Sequence, residues 1–197
     1  RAISWLNESR SASFYLLKAE AVKIGDSPPA PLLTRIVGPT EESRQVGDIE
    51  KEFSERHVLR EEFWKQLLDK AKVKTRLHAN IKPSKYSWAG AGAGKTGLSY
   101  NYWVRQHDAG IELYIDCGEE AENKAMFDAL AKFKTQIETE FGEPLYWERL
   151  EGKRACRISY VIKLGGYRDD PSRWDKVQDA MVDAMIRFEK ALKPHIA

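Results

Sequence analysis

Gly94-Lys95-Thr96, inside the stretch Trp88 to Trp103 that reads WAGAGAGKTGLSYNYW, spells the tail of the phosphate-gripping loop of nucleotide hydrolases. That loop needs Gly, four residues, then Gly-Lys-Ser/Thr, because the first glycine lets backbone N–H groups curl around phosphate. Here the first position holds Ala89. A working loop also follows a buried strand and opens a helix whose N-terminus faces the phosphates. IKPSKYSW precedes this one and the alternating GLSYNYWV follows. The sequence therefore predicts a small-residue strand or loop that another element approaches closely, and no nucleoside triphosphate as ligand.

Glu122-Asn123-Lys124 spells the (D/E)xK of metal-dependent nucleases, with Asp116 upstream as a possible second carboxylate. That chemistry needs carboxylates clamped on adjacent strands so that magnesium can activate water. The triplet falls instead in the first turn of a predicted helix, where acidic residues favour the dipole. His57, His78, His107 and His195 show no ligand spacing and no partner pattern for nucleophilic catalysis, and are expected at the surface. Cys117 and Cys156 cannot form a four-ligand zinc set and read as reduced packing residues. No catalytic residue, metal ligand or cofactor is assigned within the chain.

Charge segregation leaves one constellation standing. Lys70, Lys72, Lys74, Arg76, Lys82, Lys85, Lys95 and Arg105 occupy a segment without Asp or Glu, although the net charge is only +2. They are interleaved with Tyr86, Trp88, Tyr100, Tyr102 and Trp103. Cations near exposed rings suit a phosphate backbone whose bases can stack. The candidate nucleic-acid-binding residues are Lys82, Lys85, Lys95 and Arg105 for phosphates, with Trp88 and Trp103 as stacking surfaces. Two other readings stand beside it: an electrostatic face that docks a protein or a second copy of the chain, and a solvated basic edge balanced by acidic helices.

The elements that must position these residues follow from periodicity. FYLLKAEAVKIG and LLTRIVGP read as two strands joined by the proline-fixed DSPPAP turn. Residues 41–54, polar with Gly47, read as a linker. A helix is predicted over 55–71 with Val58, Phe63, Trp64, Leu67, Leu68 and Ala71 as its apolar stripe. LSYNYWVR and IELYID alternate as a hairpin, with Leu98, Tyr100, Tyr102 and Val104 on the buried face and Trp103 and Arg105 on the other. One helix is predicted over 120–141, strands near 144–150 and 154–164, and a final helix capped by Asp170-Pro171. The result is an α+β fold: an antiparallel sheet with helices packed mainly on one face.

At 197 residues and 42% hydrophobic, the chain has the composition of a folded protein rather than a disordered one. No apolar run reaches the roughly 18 residues of a membrane span, and no secretory leader opens it. A soluble, cytoplasmic protein without a membrane partner is expected.

RAISWLNE, AVKIGDSPPAPLLTRIVGP, REEFWKQLL, IELYID, FKTQIETEFGEPLYWERLEGKRACRI and MVDAMIRFEKAL together resemble prokaryotic proteins in which a restriction-endonuclease-like PD-(D/E)XK domain precedes the domain-of-unknown-function 4268 module. The resemblance implies that residues 1–40 are the closing helix and hairpin of the nuclease-like domain, and that 55–197 are the module. It places the nuclease motif, and any magnesium, before the WLNE helix. DNA or another nucleic acid is the implied partner, with self-association as the alternative.

Overall fold

The computed structural model describes residues 14–37 and 41–196. The WLNE helix lies outside the described residues. The chain divides after Glu55 into two compact units. In the first, β1 (Leu16–Val22) and β2 (Ala30–Val37) pair antiparallel, with Leu17 opposite Arg35 and Val22 opposite Ala30. Leu16, Leu17, Leu32, Leu33 and Ile36 are exposed on this ribbon. Helix α1 (Glu41–Lys74) spans the division, so the segment read as a linker is helical. Gly47 alone costs about 1 kcal/mol in a helix, and the surrounding Glu, Arg, Gln and Lys are good helix formers.

The second unit is built on a five-stranded antiparallel sheet of order β3-β4-β5-β7-β6. Its strands are β3 (Trp88–Gly92), β4 (Leu98–Val104), β5 (Ala109–Ile115), β6 (Tyr146–Glu148) and β7 (Cys156–Ile162). Strand alternation buries Leu98, Tyr100, Tyr102 and Val104 from β4 and Ile111, Leu113 and Ile115 from β5. These meet Phe63, Trp64, Leu67, Leu68 and Ala71 of α1 in one core, whereas Val58, expected in the same stripe, is exposed.

The segment expected as one helix is two, α2 (Glu120–Ala131) and α3 (Lys134–Phe141). At the junction the Phe133 N–H reaches back to Leu130 O at 2.9 Å, one residue short of the α pattern. That tightening turns Phe133 outward against the His195 ring, 4.5 Å away between centroids. Asp170 caps the final element by accepting from Ser172 N at 2.9 Å. A 3₁₀ turn over Pro171–Arg173 leads into α4 (Trp174–Ile196), whose predicted stripe from Trp174 to Leu192 is buried throughout. No helix among the described residues is long and apolar enough to cross a membrane.

His78 departs from its expected surface position. Its side chain is 1% exposed, with Nε2 3.0 Å from Tyr100 O and its ring 4.5 Å from that of Tyr102. Both cysteines are free, and Cys156 is buried.

Candidate functional site

The face of the sheet opposite the core is laid out by register. Trp88 lies opposite Trp103, and Trp103 opposite Gly110. In the next rung Gly90, Asn101, Glu112, Ser159 and Tyr146 follow one another across the strands. In the third, Gly92, Ser99, Tyr114, Arg157 and Glu148 do so. These rungs border a cavity of about 420 Å³ bounded by Trp88, Trp103, Asn101, Glu112, Tyr114 and Arg157.

Two glycines let the Asn101 and Trp103 side chains lie close against the sheet. A Cβ on Gly90 would overlap Asn101 Oδ1, and one on Gly110 would overlap the Trp103 indole and the Tyr160 carbonyl. The close approach expected of the Gly-Ala run is therefore made by side chains of the neighbouring strand.

Asn101 is 5% exposed and donates from Nδ2 to Glu112 Oε1 at 3.1 Å. Its Oδ1 is buried without a hydrogen-bond partner among the described residues. Glu112 Oε2 lies 4.0 Å from Arg157 Nη1. The other two Arg157 nitrogens are engaged by Glu148, with Nη2 at 2.8 Å from Oε1, and those bonds hold the guanidinium firmly charged.

The aromatic rim is anchored from α1. Trp64 Nε1 donates to Tyr86 O at 2.8 Å, and Val104 N donates to Ser87 O at 2.9 Å, which fixes the chain entering β3. Tyr86 and Trp88, 58% and 53% exposed, present nearly parallel rings 6.4 Å apart. Arg105 lies 4.8 Å over the Trp103 ring and 3.3 Å from Asp108.

Trp88, Trp103 and Arg105 are thus brought together. Lys82 and Lys85 are exposed on the approach to β3 and form no ion pair among the described residues. Lys95 sits in the turn after β3, between Gly94 at φ 87° and Gly97 at φ 83°, about 13 Å of strand away from Trp88. There it borders a separate depression with Thr96, Cys117 and Glu122. No helix follows Gly-Lys-Thr, only β4.

Some cations of the acid-free segment meet acids from elsewhere in the chain. Lys70 pairs with Asp175 at 2.5 Å and Asp179 at 2.9 Å, and Lys74 with Asp183 at 2.8 Å, which ties α1 to α4. Lys72 pairs with Asp69 on its own helix. Carboxylates absent from the segment in sequence are supplied to it in space.

Residues 59–196 match the family model described as a domain of unknown function, DUF4268. The chain belongs to the DUF4268 family. No curated protein and no solved structure matches it. The whole open face of the sheet falls within the DUF4268 match.

The (D/E)xK triplet of the DUF4268 domain is a structural tie. Asn123, fully buried, accepts from Cys117 N and donates to Arg154 O. Lys124 Nζ donates to the carbonyls of Arg149, Leu150 and Lys153 at 2.6, 3.1 and 2.7 Å. These bonds fix the turn between β6 and β7, in which Leu150 has a φ of 54°. Among the described residues no three His, Cys, Asp or Glu side chains are grouped to hold a metal ion.

Asn101, Glu112, Arg157 and Tyr114 were not among the sequence candidates. Asn101 and Glu112 carried a signal, since both fall on the outward phase of alternating strands. Arg157 carried none, because its place depends on β7 pairing with β5 across 40 intervening residues, 116 to 155.

Proposed function

We propose that the DUF4268 domain binds single-stranded nucleic acid along the open face of its sheet, as a recognition module without catalysis of its own. The observation that carries this reading is the exposed, nearly parallel pair Tyr86 and Trp88, continuous with Trp103 and Arg105 and next to the unpaired Lys82 and Lys85. Exposed rings on a sheet offer a stack to any base, but a base still paired in a duplex presents no free face to them. The earlier resemblance extends the proposal. The apolar β1–β2 ribbon suits a neighbouring nuclease-like domain, and cleavage and magnesium would belong there while this face holds the strand.

The test is fluorescence anisotropy of labelled single strands with the full chain. Trp88→Ala should weaken binding by about 1–3 kcal/mol, the cost of one lost base stack. Lys82→Glu with Lys85→Glu should weaken it and flatten its salt dependence, whereas Lys95→Glu should do little. Full affinity in Trp88→Ala, or no binding at low salt, would sink the reading. A mass that rises with concentration and is reset by Trp88→Ala would instead make the face a contact between two copies.

A further inference from the structure

We propose that the cavity on this face accepts the Watson–Crick edge of a guanine, with the two carboxylate oxygens of Glu112, which Asn101 orients, as acceptors and Arg157 as donor. The inference rests on the nucleic-acid reading of the same face and specifies which base that face selects. The cavity floor is rich in acceptors. Among the described residues the Glu112 carboxylate receives one hydrogen bond, from Asn101 Nδ2 at Oε1, which leaves lone pairs on both oxygens for a ligand. A hydrogen bond to an ionised carboxylate is worth more than one between neutral groups, so a ligand that donates to Glu112 gains more than a typical hydrogen bond.

Of the four bases, guanine alone offers two adjacent donors on its pairing edge, N1–H and the 2-amino group. Adenine and cytosine each place an amino donor beside a ring acceptor, and thymine and uracil have a single N–H between two carbonyls. Next to its donors guanine carries O6, an acceptor that needs a donor from the protein. Arg157 supplies one: Glu148 occupies its Nε and Nη2, and the remaining Nη1 stands 4.0 Å from Glu112 Oε2. The arrangement of acceptor, acceptor and donor is complementary to guanine. Trp88 and Trp103 at the rim provide the stacking wall, and a volume of about 420 Å³ lies within the range of sites that enclose small ligands.

The test measures affinity of the full chain for short thymidine oligomers with one central residue varied among guanine, adenine, cytosine, thymine and hypoxanthine, in deoxyribose and ribose series. Guanine should bind about tenfold or more tighter than the other three natural bases, the discrimination of a good bidentate contact. Hypoxanthine, which lacks the 2-amino group, should lose most of that gain. Glu112→Gln, which leaves one acceptor oxygen in place of two, should cut the preference for guanine over the other bases. Equal affinity for all five bases, or a preference for adenine or cytosine, overturns the guanine assignment and leaves the binding face standing. The hypoxanthine comparison alters only the ligand, so it decides the question even where Glu112→Gln perturbs the fold. Absence of binding to every oligomer overturns both readings.

Discussion

Acid should destabilise this domain well above the range in which carboxylates titrate, because of His78. The ring Nε2 faces a carbonyl, Tyr100 O, so Nε2 carries the proton and Nδ1 the lone pair. Nδ1 is buried without a hydrogen-bond partner among the described residues. A second proton would create a charge there, and burial accordingly pushes the pKa of His78 down from 6.5 to about 4. The unfolded chain takes up that proton as pH falls through 6.5, and the folded chain does not until about 4. Between those values the unfolded state binds more protons, so stability is full above 6.5 and is lost on the way down. The gap is worth about 3 kcal/mol at its end, a large part of the stability of an ordinary domain. Urea unfolding of the wild type and of His78→Gln at intervals from pH 7.5 to 4 isolates the contribution, because carboxylate titration is common to both proteins. The difference in unfolding free energy should narrow steadily as the pH falls. A difference that stays constant over the whole range, or a histidine NMR titration placing His78 at 6.5 or above, would refute the buried-neutral account.

Two further outcomes follow from other buried contacts. Lys124→Met should lower unfolding free energy by about 2–3 kcal/mol, since carbonyls of Arg149, Leu150 and Lys153 lose their shared donor; an unchanged urea midpoint would show that the β6–β7 turn holds itself. Gly110→Ala should cost about 1–3 kcal/mol and shift Trp103 emission, because the new methyl overlaps both the indole and a backbone carbonyl. Gly92→Ala, with open space around it, is the matched control and should stay within about 0.5 kcal/mol.

What could be read from the chain was what local periodicity encodes. The alternation of LSYNYWV and IELYI gave the buried face of β4 and β5, and the spacing from Trp174 to Leu192 gave the stripe of α4. Trp103 was legible as an outward aromatic for the same reason. Periodicity says nothing about which charges meet, however. Lys70 and Lys74 looked free because their acids lie more than a hundred residues away in sequence, on α4. The break at Phe133 escaped notice because no Gly or Pro marks it, and His78 because a single histidine in a loop has no period. The polar centre of the cavity was half visible: Asn101 and Glu112 lie on neighbouring strands of a hairpin, while Arg157 and Glu148 enter only through long-range pairing.

That centre also bears on how the face divides its work. A carboxylate among phosphate-binding groups repels the backbone of a nucleic acid unless its charge is compensated or withdrawn. The Glu112 side chain is 13% exposed, hydrogen-bonded by Asn101 and faced by Arg157, so it is placed to meet a base rather than a phosphate. Lys82 and Lys85, exposed and unpaired, are placed the other way round. Salt separates the two roles, because each phosphate contact on a single strand contributes about 0.7 to the slope of log affinity against log salt. Reversing both lysines should therefore reduce that slope by about 1.4. Glu112→Gln should leave the slope unaltered and change only the ranking of bases. Were Glu112→Gln instead to tighten binding to every oligomer and steepen the slope, the carboxylate would be a brake on phosphate binding and its place beside Asn101 would have nothing to do with base selection.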